Sequence, residues 1–179
     1  MISLASCSSL PERSGEPVPA MTFNHIQPIA LDVRVSEVVR SANVDRVRSI
    51  EFIKPLDSVV ESYLRSKVTA RGSDGAFRVE IHEASVQKNH VKAGREMARF
   101  LGVFGLDEYV LNVEALLILE RPELRKTVKM QAGRVIRVSE HSSIANRERD
   151  QLVALEELLR ALDAEFERVI RTEYGDYMR

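Results

Sequence analysis

Cys7 is the single thiol among 179 residues, and four histidines, His25, His82, His90 and His141, are scattered along the chain. One cysteine can build neither an internal disulfide framework nor a C-x-x-C pair for zinc or redox work. His82-Glu83 opens like H-E-x-x-H, but position 86 is valine. The alternation around His82 also predicts a strand, where the helical i,i+4 geometry of a zinc pair is not available. Asp107-Glu108 and Glu156-Glu157 are adjacent in sequence, whereas carboxylates doing acid–base work face a common cleft with separated pKa values; these read as solvated. Gly72-Ser-Asp-Gly75 has the G-x-x-G form of some RNA-binding loops, but Asp74 would repel a phosphate and a turn accounts for it better. There is no G-x-S-x-G, P-loop or G-x-G-x-x-G. No catalytic residue, metal or cofactor is assigned. Binding rather than catalysis is expected, with a small-molecule enzyme as the lesser alternative.

The segment from Lys88 to Gly105 offers contact chemistry instead. It is far longer than the 2–5 residues a hairpin needs. It sets Lys88, Lys92, Arg95 and Arg99 against Glu96 alone, beside Met97, Phe100, Leu101, Val103 and Phe104. Two readings stay open. Residues 94–101 can form a short helix that folds Met97, Phe100 and Leu101 onto the core. Alternatively the apolar tip enters a lipid interface or a partner groove while Lys92, Arg95 and Arg99 meet phosphate headgroups, with Phe104 in the same surface.

Elements must position these groups, and the composition permits a folded domain: 44% of residues are hydrophobic and 30% charged. A formal charge of -1 argues against broad nucleic-acid binding, which needs a basic excess. Ile29 to Ser36 alternates as a half-buried strand, and residues 40–53 read as a connection. Pro55 suits a helix start, and Leu56, Val59, Val60, Tyr63, Leu64 and Val68 form one apolar stripe that Gly72 to Gly75 ends. In the next strand the apolar phase moves from Phe77, Val79 and Ile81 to Ala84 and Val86, which predicts a bulge. Asp107 to Arg121 is a third strand, apolar on both faces near Leu116 and Ile118, as for a central or covered strand. Thr127 to Ser139 is a fourth, where Gly133-Arg134 suggests a bulge or bend. From Asn146 to Thr172, Leu152, Leu155, Leu159, Leu162, Phe166 and Val169 predict a long helix, capped by Ser143 or Asn146 and packed on a sheet rather than in a coiled coil. The order β-α-β-β-β-α implies an α+β two-layer sandwich: an antiparallel sheet with two helices on one face. Its other face carries Asp32, Arg34, Arg78, Glu80, Lys129 and Arg137.

Leu4-Ala5-Ser6-Cys7 resembles the lipobox of bacterial lipoproteins, followed by a segment of Pro, Ser, Gly and Glu. The resemblance implies that Cys7 carries diacylglycerol and an N-acyl chain, that residues 1–7 are the remnant of a signal, that 8–21 form a flexible tether and that 22–179 form one domain. Only six residues precede Cys7, fewer than a basic n-region and an apolar h-region occupy, so a start upstream of Met1 is expected. A free thiol in a disordered cytosolic tail is the other reading.

Phe23-Asn24, Pro28 to Val33, Ile81 to Val86, Ser142 to Arg149 and Leu162 to Glu165 further resemble a group of uncharacterised proteobacterial lipoproteins. The element order is similar to the auxiliary lipoproteins of ABC-type lipid transport systems and to the lipopolysaccharide-assembly lipoprotein. These likenesses imply a lipid-anchored component on the periplasmic side of the envelope, and Ser8 and Ser9, rather than Asp, after the cysteine suit sorting to the outer membrane rather than the inner. Its partners would be the membrane, envelope transport proteins and lipid, with no nucleic acid. A cytosolic interaction module, its final helix paired with a partner helix, is the alternative.

Overall fold

The computed structural model describes residues 23, 26–42, 52–92 and 105–179. Cys7, the 8–21 segment and Arg95, Met97, Arg99, Phe100, Leu101 and Phe104 lie outside the described residues, as does most of the 40–53 connection.

The chain forms β1 (Ile29–Leu31), β2 (Val35–Arg40), α1 (Leu56–Lys67), β3 (Val68–Ala70), β4 (Ala76–Lys92), β5 (Gly105–Arg121), β6 (Leu124–Ser139) and α2 (Ile144–Glu173). The strand expected over 29–36 is broken at Asp32–Arg34. The backbone there bends so that the Arg71 and Gly72 amides donate to the Leu31 and Val33 carbonyls, and Arg121 donates to the Asp32 carbonyl. Helix α1 ends at Lys67, before Gly72: Val68 and Thr69, β-branched and stiff at χ1, begin β3 instead. Thus β1 pairs with β3 and β2 with β4, both parallel, with α1 as the crossover.

The sheet is therefore mixed along one edge, order β2-β4-β5-β6, and antiparallel from β4 through β6 as a meander. The predicted bulge falls at His82, where the β4–β5 register slips between Ile81 and Glu83. One extra residue lets Val79, Ile81, Ala84 and Val86 all bury on the same face. By contrast, β5–β6 keeps an unbroken register past Gly133, from Leu106–Ser139 to the two-residue turn at Pro122-Glu123. There is no bulge at Arg134. Its side chain leaves the sheet to meet Glu157 on α2 at 2.5 Å, so what interrupts the apolar face is a sheet-to-helix ion pair.

Both helices lie on one face, as expected of a two-layer α+β sandwich, and a single cluster of buried side chains joins them to β4, β5 and β6. The apolar stripe of α2 is Leu155, Leu158, Leu162, Phe166, Val169 and Ile170, with the Ser143 hydroxyl accepting from the Asn146 amide at its start. The opposite sheet face is laced by cross-strand pairs: Glu37–Arg78 at 2.5 Å, Glu114–Lys129 at 2.7 Å and Glu108–Arg137 at 2.8 Å. Asp32 sits in the bend, not on that face, and takes Arg121 and Arg179. As its two-sided apolar end implied, β5 is internal; Ile118 is buried between Arg78 and Thr127 of the flanking strands. Edge strand β6 carries Arg125, Lys126, Lys129, Arg134 and Arg137 and no acid, and long charged side chains on an edge strand disfavour edge-to-edge pairing.

Candidate functional site

Two places gather polar groups around the helical layer. The first is a groove of about 580 Å³ between α1 and α2, walled by Phe23, Ile26, Tyr63 and Leu159. The helices run in the same direction here: Ile53, just before α1, donates its amide to Gln151, Tyr63 meets Asp163, and Lys67 meets Glu167. Lys67 takes a position of the buried stripe of α1 (Leu56, Val59, Val60, Tyr63, Leu64), so its ammonium enters the interface. Asp163 and Glu167, one turn apart on α2, reach it at 2.6 and 2.9 Å. The Tyr63 hydroxyl donates to the same Asp163 carboxylate.

Electrostatics follow from that geometry. Burial works against the charged Lys67, but its hydrogen bonds to Asp163 and Glu167 prevail and hold its pKa above the ordinary value. Burial also pushes Asp163 up, and the bonds from Lys67 and Tyr63 override it, so its pKa is lowered. Glu167 is lowered chiefly by Lys67. Burial, reinforced by Asp163, pushes the Tyr63 phenol well up. These groups form a closed set of donors and acceptors that pins α1 to α2. Phe23, the first described residue, packs edge-on against Tyr63 with centroids 5.7 Å apart and so closes one wall of this groove.

The second place is the open end of the β4–β5 hairpin, where Lys92 pairs with Gly105 on the last rung. Lys92 is exposed, and it is the one residue of the sequence-derived contact surface within the described residues. Around it, Lys88 lies 2.7 Å from the buried Asp107 carboxylate, and His90 faces Asp107 across the register. His90 Nδ1 is 2.9 Å from Glu140 Oε1, and Arg147 Nη2 donates to the Glu140 carbonyl. A hydrogen-bonded Lys88 overcomes burial and keeps the Asp107 pKa below the ordinary carboxylate value. Lys88 is thus held by an acid rather than free for a phosphate.

No family model matches the chain, and no curated protein matches it. Solved structures do. The chain is similar to rare lipoprotein B from Shewanella oneidensis, at 14% identity and a TM-score of 0.42 over 79% of this chain and 98% of that one. It is similar also to a minor lipoprotein from Acinetobacter baumannii, at 13% identity and a TM-score of 0.40 over 78% and 93%.

Among the candidates weighed from sequence, His82 is the bulge residue and faces Glu80 at 3.3 Å, with no second imidazole on that strand face among the described residues. Asp107 and Glu108 point to opposite faces of β5, one buried and one on the outer lattice. Gly72 and Gly75 form a bend, the latter at φ +75° where a side chain is strained. Sequence reasoning overlooked Lys67 and the meeting of His90 with Glu140. For Lys67 a signal existed, a lysine in phase with an apolar stripe; for His90 and Glu140, fifty residues apart, no local pattern points from one to the other.

Proposed function

We propose that this chain is a lipid-anchored lipoprotein on the periplasmic side of a bacterial envelope, at the outer membrane, and that it acts by binding. The observation that carries the reading is Leu4-Ala5-Ser6-Cys7 followed by a Ser-, Pro- and Glu-rich stretch leading into the fold at Phe23. Acylated with diacylglycerol and an N-acyl chain, Cys7 has the several lipid signals that stable anchoring takes. The groove at Phe23 and Asp163 lies about 28 Å along α2 from the hairpin end, at the helical rise of about 1.5 Å per residue. An anchor at the groove therefore leaves the hairpin end standing clear of the attachment point. Ile144, 78% exposed at that same end, adds an apolar group beside it. Lys92, Arg95, Met97, Arg99, Phe100, Leu101 and Phe104 are the contact surface in this reading, and the process served is envelope lipid or lipopolysaccharide transport or assembly.

Two measurements test the two halves. Expressed from its natural gene start in a proteobacterial host, the protein incorporates radioactive palmitate and Cys7→Ser does not; equal labelling of both rejects the anchor. Replacing Phe100 and Phe104 by Ser weakens binding to liposomes or to co-purifying envelope proteins and leaves the melting temperature nearly unchanged. A large fall in melting temperature instead assigns those rings to the core.

A further inference from the structure

We infer that His90, Asp107 and Glu140 form a binding site for a divalent transition metal of the zinc type, with one coordination position left open to solvent or to an outside ligand. The three side chains come from the end of β4, the start of β5 and the turn between β6 and α2, and their ligand atoms all lie within 4.8 Å of one another. His90 Nδ1 stands 2.9 Å from Glu140 Oε1 and 3.5 Å from Asp107 Oδ1. A tetrahedral zinc ion with bonds of about 2.0–2.2 Å holds its ligand atoms roughly 3.3–3.6 Å apart, so the His90–Asp107 pair already fits, the His90–Glu140 pair opens slightly, and the two carboxylate oxygens, within 4.8 Å, close onto the ion.

The chemistry of the donors asks for a cation. An imidazole nitrogen and two carboxylate oxygens, all within 4.8 Å of one another, offer three ligand atoms to one ion. A proton on Nδ1 satisfies one oxygen at a time; a metal ion satisfies all three atoms together. Asp107 is buried, 5% exposed, so its oxygens cannot turn to bulk water instead. Lys88 occupies only Oδ2, at 2.7 Å, leaving Oδ1 to the site. A carboxylate held on its far oxygen in this way is the usual outer support of a metal ligand. Arg147 donates to the Glu140 backbone carbonyl, which fixes the turn that carries this residue, and approaches Asp107 Oδ2 at 4.0 Å. Gly105 permits the approach of Glu140, because a Cβ there would overlap that carboxylate.

Donor type then selects the metal, since calcium and magnesium are held by oxygen ligands. An imidazole nitrogen beside two oxygens suits zinc and its neighbours better. His90 is half exposed, which keeps the fourth position accessible.

The test uses the full chain carrying Cys7→Ser, which removes the only thiol, stripped with chelator and titrated with Zn²⁺ alone by calorimetry. One zinc per chain is expected. His90→Ala and Glu140→Gln should each weaken binding by about tenfold or more, while His82→Ala and His141→Ala leave it unchanged. Zinc at about a hundred times its dissociation constant should raise the melting temperature by roughly 5–10 °C in the parent chain and not in His90→Ala. Both ligand side chains are substantially exposed, so the metal-free melting temperatures of their variants should match the parent. Absence of bound zinc, or equal affinity in the parent and both ligand variants, overturns the assignment.

Discussion

Phe166→Ala is expected to cost about 3–5 kcal/mol, the range for deleting a buried aromatic ring from a well-packed core. Phe166 is fully buried on α2, within the cluster shared with α1 and the inner sheet face. A 30-residue helix held along three long strands cannot collapse locally into the space left by the ring, so the cavity persists. For a chain of this length the melting temperature should fall by roughly 6–20 °C. Val153 on the same helix is 48% exposed, and Val153→Ala should stay within about 0.5 kcal/mol. Thermal denaturation of the two variants decides it. Similar small shifts in both would mean that α2 does not pack on the sheet.

Lys67→Met is expected to destabilise by about 2 kcal/mol, below the 3–5 kcal/mol of a fully buried broken pair because the partner carboxylates are screened by water. The lysine side chain is 5% exposed, but Asp163 and Glu167 are 39% and 36% exposed. Methionine fills the stem's volume and leaves two carboxylates facing each other without their shared cation. The cost should depend on pH at both ends. Lys67 has a folded pKa raised above 10.5, so its stabilisation is complete below that value and is lost as pH rises through the higher folded one. Tyr63, raised above its ordinary 10.0 with burial the first cause, adds a loss on the same alkaline side, since the unfolded phenol ionises first. Asp163 and Glu167, lowered from 3.8 and 4.5, contribute fully above those values and lose their contribution as pH falls through the lower folded ones. Denaturant unfolding at a series of pH values should give parent and variant their widest gap between about pH 5 and 9, narrowing at both extremes. A gap that does not vary with pH would make Lys67 a packing residue only.

The lysine also shows how far a sequence pattern reaches. Apolar period placed the stripe of α1 correctly through Leu64, and its continuation to Val68 failed because a β-branched pair starts a strand there. The bulge at His82 was legible because one extra residue must shift the apolar phase, and phase is visible in sequence. The bulge expected at Gly133 was misread: a charge on the inner face looked like a break in the strand, whereas Arg134 has an acid waiting on the helix above it. The parallel pairing of β2 with β4 was likewise hidden, since alternation records which face is buried and carries no strand direction.

Local order thus determined the elements, their inner faces, the long capped helix and the two-layer class, because period, caps and turns act within a few residues. Tertiary structure alone decided the mixed edge of the sheet, the Lys67 cluster and the convergence of His90, Asp107 and Glu140. Those depend on residues 17 to 100 positions apart, and such distances close only when packing of the whole core sets the register of strands and the stagger of helices.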